Sequence, residues 1–144
     1  MIQRIQSLYL LLASICSVGL IQVFDLWANE AGNTYYALSL LNENNLILKI
    51  IPILFIVSGI MSIVSVFMFK KRKNQFVLNR LNILVNFILL GILIYYLLIL
   101  SGESQISEKG IGVFLPIVVV FLLAIANKAI KKDEDLVKSV DRLR

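Results

Sequence analysis

The sequence predicts an all-α integral membrane protein with four transmembrane helices in an up-down-up-down bundle. Both termini are expected in the cytoplasm, with an amphipathic helical extension at the C-terminus. Hydrophobic residues make up 59% of the 144 residues and charged residues only 16%, with a mean hydropathy of +0.88. A soluble domain carries roughly 45–50% apolar and about 25% charged residues. The charges here also cluster between apolar runs, so the bilayer is the solvent that this composition fits.

Four apolar runs are long enough to cross a bilayer as helices, since the hydrocarbon core requires about 20 residues. They cover approximately residues 5–27, 46–69, 77–100 and 111–130. Helices are predicted because lipid offers the backbone no hydrogen-bond partners and the runs lack the alternation of barrel strands. The first run is longer than the roughly 7–15 residues of a signal-peptide core, so we expect it to be retained. The chain is then one four-helix domain, residues 1–144, with a cytoplasmic tail at 131–144.

Basic residues lie almost entirely on one side of the predicted bundle. Twelve of them fall at the N-terminus, at or near the connection between the second and third runs, and from the end of the fourth run onwards: Arg4, Lys70, Lys71, Arg72, Lys73, Arg80, Lys128, Lys131, Lys132, Lys138, Arg142 and Arg144. Only Lys49 and Lys109 fall on the other side. Because short cytoplasmic loops hold most Lys and Arg, this bias predicts that both termini face the cytoplasm.

The basic stretch "FKKRKNQ" at residues 69–75 has two interpretations. In the first, Lys70, Lys71, Arg72 and Lys73 fix the topology and contact anionic lipid headgroups, where each charge contributes about 1 kcal/mol. The second is a nucleic-acid patch, which we disfavour because only Phe76 offers a ring for base stacking and no nucleic-acid-binding fold is recognisable. We therefore expect the phospholipid bilayer as the partner of this loop and no nucleic acid.

The connections on the opposite side are predicted to be solvated. The longer one, residues 28–45, is rich in Asn and has the composition of an irregular surface loop. The shorter one reads "SGESQISEKG" at residues 101–110. Aromatic residues near these connections are expected to anchor the helices at the headgroup layer: Trp27, Tyr35, Tyr36, Tyr95 and Tyr96.

Polar residues inside the apolar runs form two stripes. Their spacing places them on one face of each helix: Ser58, Ser62 and Ser65 on the second, Asn79, Asn82 and Asn86 on the third. A hydrogen bond between transmembrane helices contributes about 0.6–2 kcal/mol, so we expect these stripes to form helix–helix polar contacts. A solute path is the alternative, but it would need charged residues near the middle of the helices, which the runs lack.

Residues typical of enzymatic chemistry are missing from the sequence. There is no His, the commonest general base. The single cysteine, Cys16, lies inside the first run and can form neither an internal disulfide nor a zinc site alone. No phosphate-binding, dinucleotide-binding or nucleophile-elbow motif occurs. We expect a non-enzymatic protein with no catalytic residues, no cofactor and no metal.

The tail continues the fourth run without a helix breaker. Leu136, Val140 and Leu143 lie at i, i+4 and i+7 and form an apolar stripe, and Glu134 and Lys138 form an i, i+4 ion pair. An apolar stripe outside the membrane needs a cover. Lipid headgroups, the inner loop of the chain itself and a partner that accepts an amphipathic helix are the three candidates.

The two ends of the chain carry a family resemblance. The opening "MIQRIQSLYLLLA" and the closing "IKKDEDLVKSVDRLR" resemble the domain-of-unknown-function family 4293, small four-helix membrane proteins of Bacteroidota. The resemblance spans the chain and implies a multi-pass protein of the bacterial inner membrane, with no established activity to transfer. It implies a shared role for residues at the cytoplasmic face: Gln3, Arg4, Gln6, Lys132, Asp133, Glu134, Asp141 and Arg142.

These features together predict an accessory or scaffolding subunit that docks a larger inner-membrane assembly through its cytoplasmic face. The predicted partner-binding residues come from the N-terminus and the tail: Arg4, Leu136, Val140, Asp141, Arg142 and Leu143. The expected partner is a second membrane protein. Two alternatives stay open: a small transporter or channel component that acts as a homo-oligomer, and a protein that binds anionic lipid through its basic face.

Overall fold

The computed structural model describes residues 2–101 and 108–144, with side chains at residues 5–99 and 109–144. Its main elements are four helices: α1 Ile2–Ser14, α2 Leu46–Phe67, α3 Arg72–Ser101 and α4 Leu115–Arg142. A π-helical turn, Ile15–Gly19, and a 3-10 turn, Leu20–Gln22, continue α1. Four helical segments are long and apolar enough to cross a membrane, which confirms the predicted class.

Local sequence explains where two of the helices begin. Asn45 precedes α2 in an extended conformation, and its side-chain oxygen accepts a hydrogen bond from the Ile47 N–H at 3.2 Å. Such a cap pairs a donor that the helix itself leaves without a partner. Pro116 lies in the first turn of α4, where a residue without an N–H is tolerated. Both starts were therefore favoured by the sequence.

The four helices form an antiparallel bundle. Each packs against two others: α2 lies between α1 and α3, and α4 closes the bundle against α3 and α1. A short 3-10 turn, Met68–Lys70, joins α2 to α3, so these two helices run in opposite directions. We call the end that carries this turn and both chain termini the basic end. The opposite end carries a small sheet, and we call it the sheet end.

The sheet contains three short antiparallel strands in the order β2-β1-β3. They are β1 Asp25–Ala28, β2 Thr34–Tyr36 and β3 Glu108–Lys109, and a 3-10 segment, Ala37–Asn42, follows β2. Two predictions were wrong here: the first helix does not extend to residue 27, and the connection at 28–45 is not irregular throughout. In the strand, the side chains of Leu26 and Trp27 are buried in the hydrophobic core, and this apolar burial favours the strand over a longer helix.

The residues that lead into α4 pack closely against β1. The Gly110 N–H donates to the Leu26 carbonyl oxygen at 2.8 Å. A Cβ at Gly110 would overlap the backbone carbonyl of Asp25, so only glycine fits at this crossing. Of the shorter connection at 101–110, residues 102–107 lie outside the described residues.

The aromatic residues divide into buried and exposed groups. Trp27 is 4% exposed and stacks on Tyr35 with 6.0 Å between ring centroids, and Tyr96 is 5% exposed. The prediction that all five rings anchor the headgroup layer was therefore wrong for Trp27 and Tyr96. Tyr36 and Tyr95 are exposed and remain available as anchors. The buried rings belong to the bundle core instead.

Candidate functional site

The two predicted polar stripes lie opposite each other between α2 and α3. All six residues are 0–1% exposed: Ser58, Ser62, Ser65, Asn79, Asn82 and Asn86. Because the helices are antiparallel, the order of partners reverses, so that Ser65 meets Asn79 and Ser58 meets Asn86. We call these six residues, together with Ser17 and Gln75, the polar ladder. It occupies the half of the α2–α3 interface that lies towards the basic end.

Asn82 is the centre of the polar ladder. Its Nδ2 donates to the Ser58 carbonyl oxygen at 3.0 Å and to Ser62 Oγ at 2.9 Å. Asn82 Oδ1 accepts a hydrogen bond from Asn86 Nδ2 at 3.1 Å. Asn86 Nδ2 also donates to Ser58 Oγ at 2.7 Å. One amide therefore joins two residues of α2 and one of α3, and its loss would remove three buried hydrogen bonds at once.

Gln75 extends the polar ladder towards the basic end. Its Nε2 donates to the Ser65 carbonyl oxygen at 3.0 Å, next to the bond from Ser65 Oγ to Asn79 Oδ1 at 2.7 Å. Sequence reasoning missed Gln75, although it precedes Asn79 by four residues and so continues the same helix face. The signal was present, but the residue fell outside the predicted start of the third helix.

The π-helical turn brings α1 to the polar ladder. Ser17 lies in this turn, and its Oγ is 3.2 Å from Ser58 Oγ. The adjacent Val18 lies so close to Gly59 that a Cβ at Gly59 would overlap Val18 Cγ2. A π turn alters the helical phase, which explains why periodicity alone could not place Ser17. Three helices thus meet at Ser58 and Gly59.

Several buried amide atoms in this half of the bundle have no protein hydrogen-bond partner. Within the described residues they are Gln6 Nε2, Gln75 Oε1, Asn79 Nδ2, Asn86 Oδ1 and Asn127 Oδ1. Buried polar atoms are normally paired with protein or with ordered water. Gln6 is 4% exposed, so it is not on the accessible docking surface that the resemblance implied. Asn127, on α4, was missed at the sequence level.

Two ion pairs organise the basic end. Arg72 Nη2 lies 3.3 Å from Asp133 Oδ2, an ion pair whose geometry falls short of a hydrogen bond. Lys138 Nζ lies 2.9 Å from Glu134 Oε1, as the i, i+4 spacing predicted. The first pair joins the start of α3 to α4.

An open groove of about 630 Å³ lies where the α2–α3 turn faces α4. We call it the basic groove. All four residues predicted to contact lipid headgroups, Lys70, Lys71, Arg72 and Lys73, line it. The rest of the lining consists of Phe69, Asn74, Glu134, Val137 and Lys138. Its volume is in the range of small-molecule pockets, roughly 300–1,000 Å³.

The predicted extension is helical, since α4 continues through Arg142. The apolar stripe on it is exposed to solvent: Leu136 is 46% exposed, Val140 60% and Leu143 88%. Asp141 and Arg142 are also exposed, but helical spacing places each roughly a third of a turn away from the stripe. Arg4 lies in the first turn of α1, and its side chain is outside the described part of the structure.

Within residues 2–101 and 108–144, no three Asp, Glu, Cys or His residues lie close enough together to hold a metal ion. Cys16 is partly buried in the π turn. Among the described residues, the basic end thus combines cationic side chains, two ion pairs and exposed apolar residues. Such groups can bind anionic and apolar ligands.

A family model described as "Domain of unknown function (DUF4293)" matches residues 2–143. No curated protein and no solved structure matches the chain.

Proposed function

The chain belongs to the DUF4293 family, and from this premise we propose that it is a non-enzymatic accessory or scaffolding subunit of a bacterial inner-membrane assembly. The observation that carries the proposal is the exposed apolar stripe Leu136, Val140 and Leu143 on a helix that continues past the bundle. A protein that only had to fold in lipid would have no use for this stripe outside the membrane.

The proposed orientation places the basic end in the cytoplasm. Both chain termini and the Lys- and Arg-rich turn lie at this end of the antiparallel bundle. Cytoplasmic retention of short basic segments then gives an N-in/C-in multi-pass protein. The stripe would accordingly face the cytoplasm, where it meets either lipid headgroups or protein.

The length of the extension favours a protein as the cover of the stripe. Asp133 pairs with Arg72 at the first residue of α3, and α4 ends nine residues later at Arg142, about 14 Å further along the axis. The headgroup layer is only about 5–8 Å thick on each side. Exposure also rises along the stripe and is highest at Leu143, its far end. With Asp133 at the inner edge of the hydrocarbon core, a straight extension carries Val140 and Leu143 beyond the headgroups, whereas Leu136 stays at their depth.

The docking partner in this proposal is the cytoplasmic face of another membrane protein with an apolar groove for one amphipathic helix. The polar ladder supports such a role, because its buried side chains bond mainly to one another and hold α2 and α3 in one arrangement. A rigid bundle presents the extension in a fixed direction. The polar ladder fits this scaffold better than a solute path, which needs open, hydrated polar groups.

Replacing Val140 and Leu143 together by Ser is expected to reduce partner retention at least about tenfold, with unchanged membrane insertion. The two side chains are the most exposed of the stripe, and each buried side chain of this size contributes about 1.5–3 kcal/mol. Retention is measured as the stoichiometric complex recovered after gentle extraction of the tagged protein at its native level. Unchanged retention would refute docking through the stripe.

A second variant separates apolar docking from charge. Asp141→Ser with Arg142→Ser also changes two exposed residues of the last turns, but away from the stripe. We expect it to retain more than half of the complex, because exposed charge pairs contribute only about 0–1 kcal/mol. A loss equal to that of the first variant would assign docking to the charges instead.

A further inference from the structure

We propose that the basic groove is a binding site for the phosphate-bearing headgroup of an anionic phospholipid. The groove lies between the α2–α3 turn and the extension of α4, and the first four residues after Phe69 line it in succession: Lys70, Lys71, Arg72 and Lys73. This site is distinct from the proposed docking stripe, and its failure would leave the docking proposal standing.

The basic groove carries more positive than negative charge. Its lining holds five cationic side chains and one carboxylate, Glu134, a formal net charge of +4. Asp133 pairs with Arg72 from outside the lining, which leaves +3. Among the described residues, none of the three lysines Lys70, Lys71 and Lys73 forms an ion pair. These three exposed lysines surround one concave site and give it a positive potential that favours an anion.

The start of α3 adds to the same field. Lys71 precedes the helix and has no side-chain acceptor to cap it, and the first turn contains no acidic residue. The backbone N–H groups of a first helical turn carry partial positive charge and favour an anion. Here lysine side chains reinforce that charge, whereas helix starts ordinarily carry Ser, Thr, Asp or Asn.

The surroundings of the basic groove favour a lipid over a free anion. Phe69 and Val137 contribute apolar surface to the lining and are each 44% exposed. The last turns of α2, which precede Phe69 in the chain, also expose apolar side chains, with Phe67 75% exposed and Val64 43% exposed. A ligand that is anionic at one end and apolar at the other contacts both surfaces, while a free phosphate uses only one.

The basic groove and the docking stripe lie on different faces of the extension. At about 100° per residue, Glu134, Val137 and Lys138 centre on a direction nearly opposite to Leu136, Val140 and Leu143. A lipid in the groove therefore does not cover the stripe. It would join the α2–α3 turn to α4 and brace the base of the extension.

The test uses the full chain in detergent, with native mass spectrometry of bound lipid after addition of phosphatidylglycerol or phosphatidylcholine. The variant Lys70→Ser, Lys71→Ser, Lys73→Ser should retain at least about tenfold less phosphatidylglycerol, equal to about 1.4 kcal/mol. The matched control is Lys128→Ser, Lys131→Ser, Lys132→Ser, which removes the same charge from residues that line a different depression on α4. We expect the control to change retention less than about twofold.

Three results would overturn the proposal: equal losses in both triple variants, no loss in either, or full displacement of the lipid by millimolar inorganic phosphate, which would indicate a free-anion site.

If the first variant does not insert into the membrane, Val137→Asp provides the test, because it adds a carboxylate to the basic groove on the extension. It should give the same loss, and unchanged retention would contradict the proposal. Val140→Ser with Leu143→Ser should leave lipid retention unaltered.

Discussion

Asn82→Leu is expected to lower the free energy of unfolding by about 3 kcal/mol. Leucine has the same branched skeleton of heavy atoms and is larger than asparagine, so no cavity forms and the loss comes from the missing hydrogen bonds and a tighter fit. The change removes both bonds donated by Asn82 Nδ2, to the Ser58 carbonyl and Ser62 Oγ, and one of the three acceptors of Asn86 Nδ2. The partner residues are 0–1% exposed, so bulk water does not replace the three lost bonds, although each partner keeps another bond within the protein.

The measurement is reversible unfolding of the purified protein in bicelles by steric trapping or denaturing detergent. Asn74→Leu is the matched control, since it makes the same chemical change on the same helix at an exposed position. The control should stay within about 0.5 kcal/mol of the native protein. Equal stability of the two variants would mean that the polar ladder does not hold the bundle together.

Gly59→Ala is expected to cost about 2 kcal/mol through overpacking. The new Cβ would overlap Val18 Cγ2 in the π turn of α1, and it would lie 3.6 Å from Ser17 Cβ. Valine is β-branched and has few alternative rotamers, so the backbone of α1 must move away from α2. This movement would also lengthen the contact between Ser17 and Ser58.

A double-mutant cycle identifies the clash. Adding Val18→Ala to Gly59→Ala removes the overlapping methyl groups and should restore at least half of the lost stability. Gly91→Ala is the matched control, because a Cβ there meets no atom within 4 Å, and it should be neutral or slightly stabilising. Additive effects of Val18→Ala and Gly59→Ala would exclude this contact as the cause.

The helical fold and much of the polar ladder were accessible from the sequence. Apolar runs of membrane-spanning length allow only helices or barrels in lipid, and these runs do not alternate. Serines at 58, 62 and 65 and asparagines at 79, 82 and 86 follow the helical repeat, so their sharing of one face needed no tertiary information. The structure adds that the two faces meet.

The features that were not accessible depend on contacts between distant residues. The run up to Ala28 is equally suited to a helix end or a buried strand, and pairing of β1 with β3 far along the chain decides the outcome. The π turn changes the phase of α1 and brings Ser17 to Ser58. The basic groove requires α4 beside the α2–α3 turn, which charge counts along the chain do not reveal.

The most direct measurement for a docking subunit is the size and composition of its particle after gentle extraction from the native membrane. The full chain is compared with a version truncated after Lys132, which removes the entire exposed stripe. We expect the full chain to run in one defined complex of fixed stoichiometry with a second membrane protein, and the truncated chain to insert normally but run alone. Identical small particles of protein and lipid before and after truncation would contradict the proposed function.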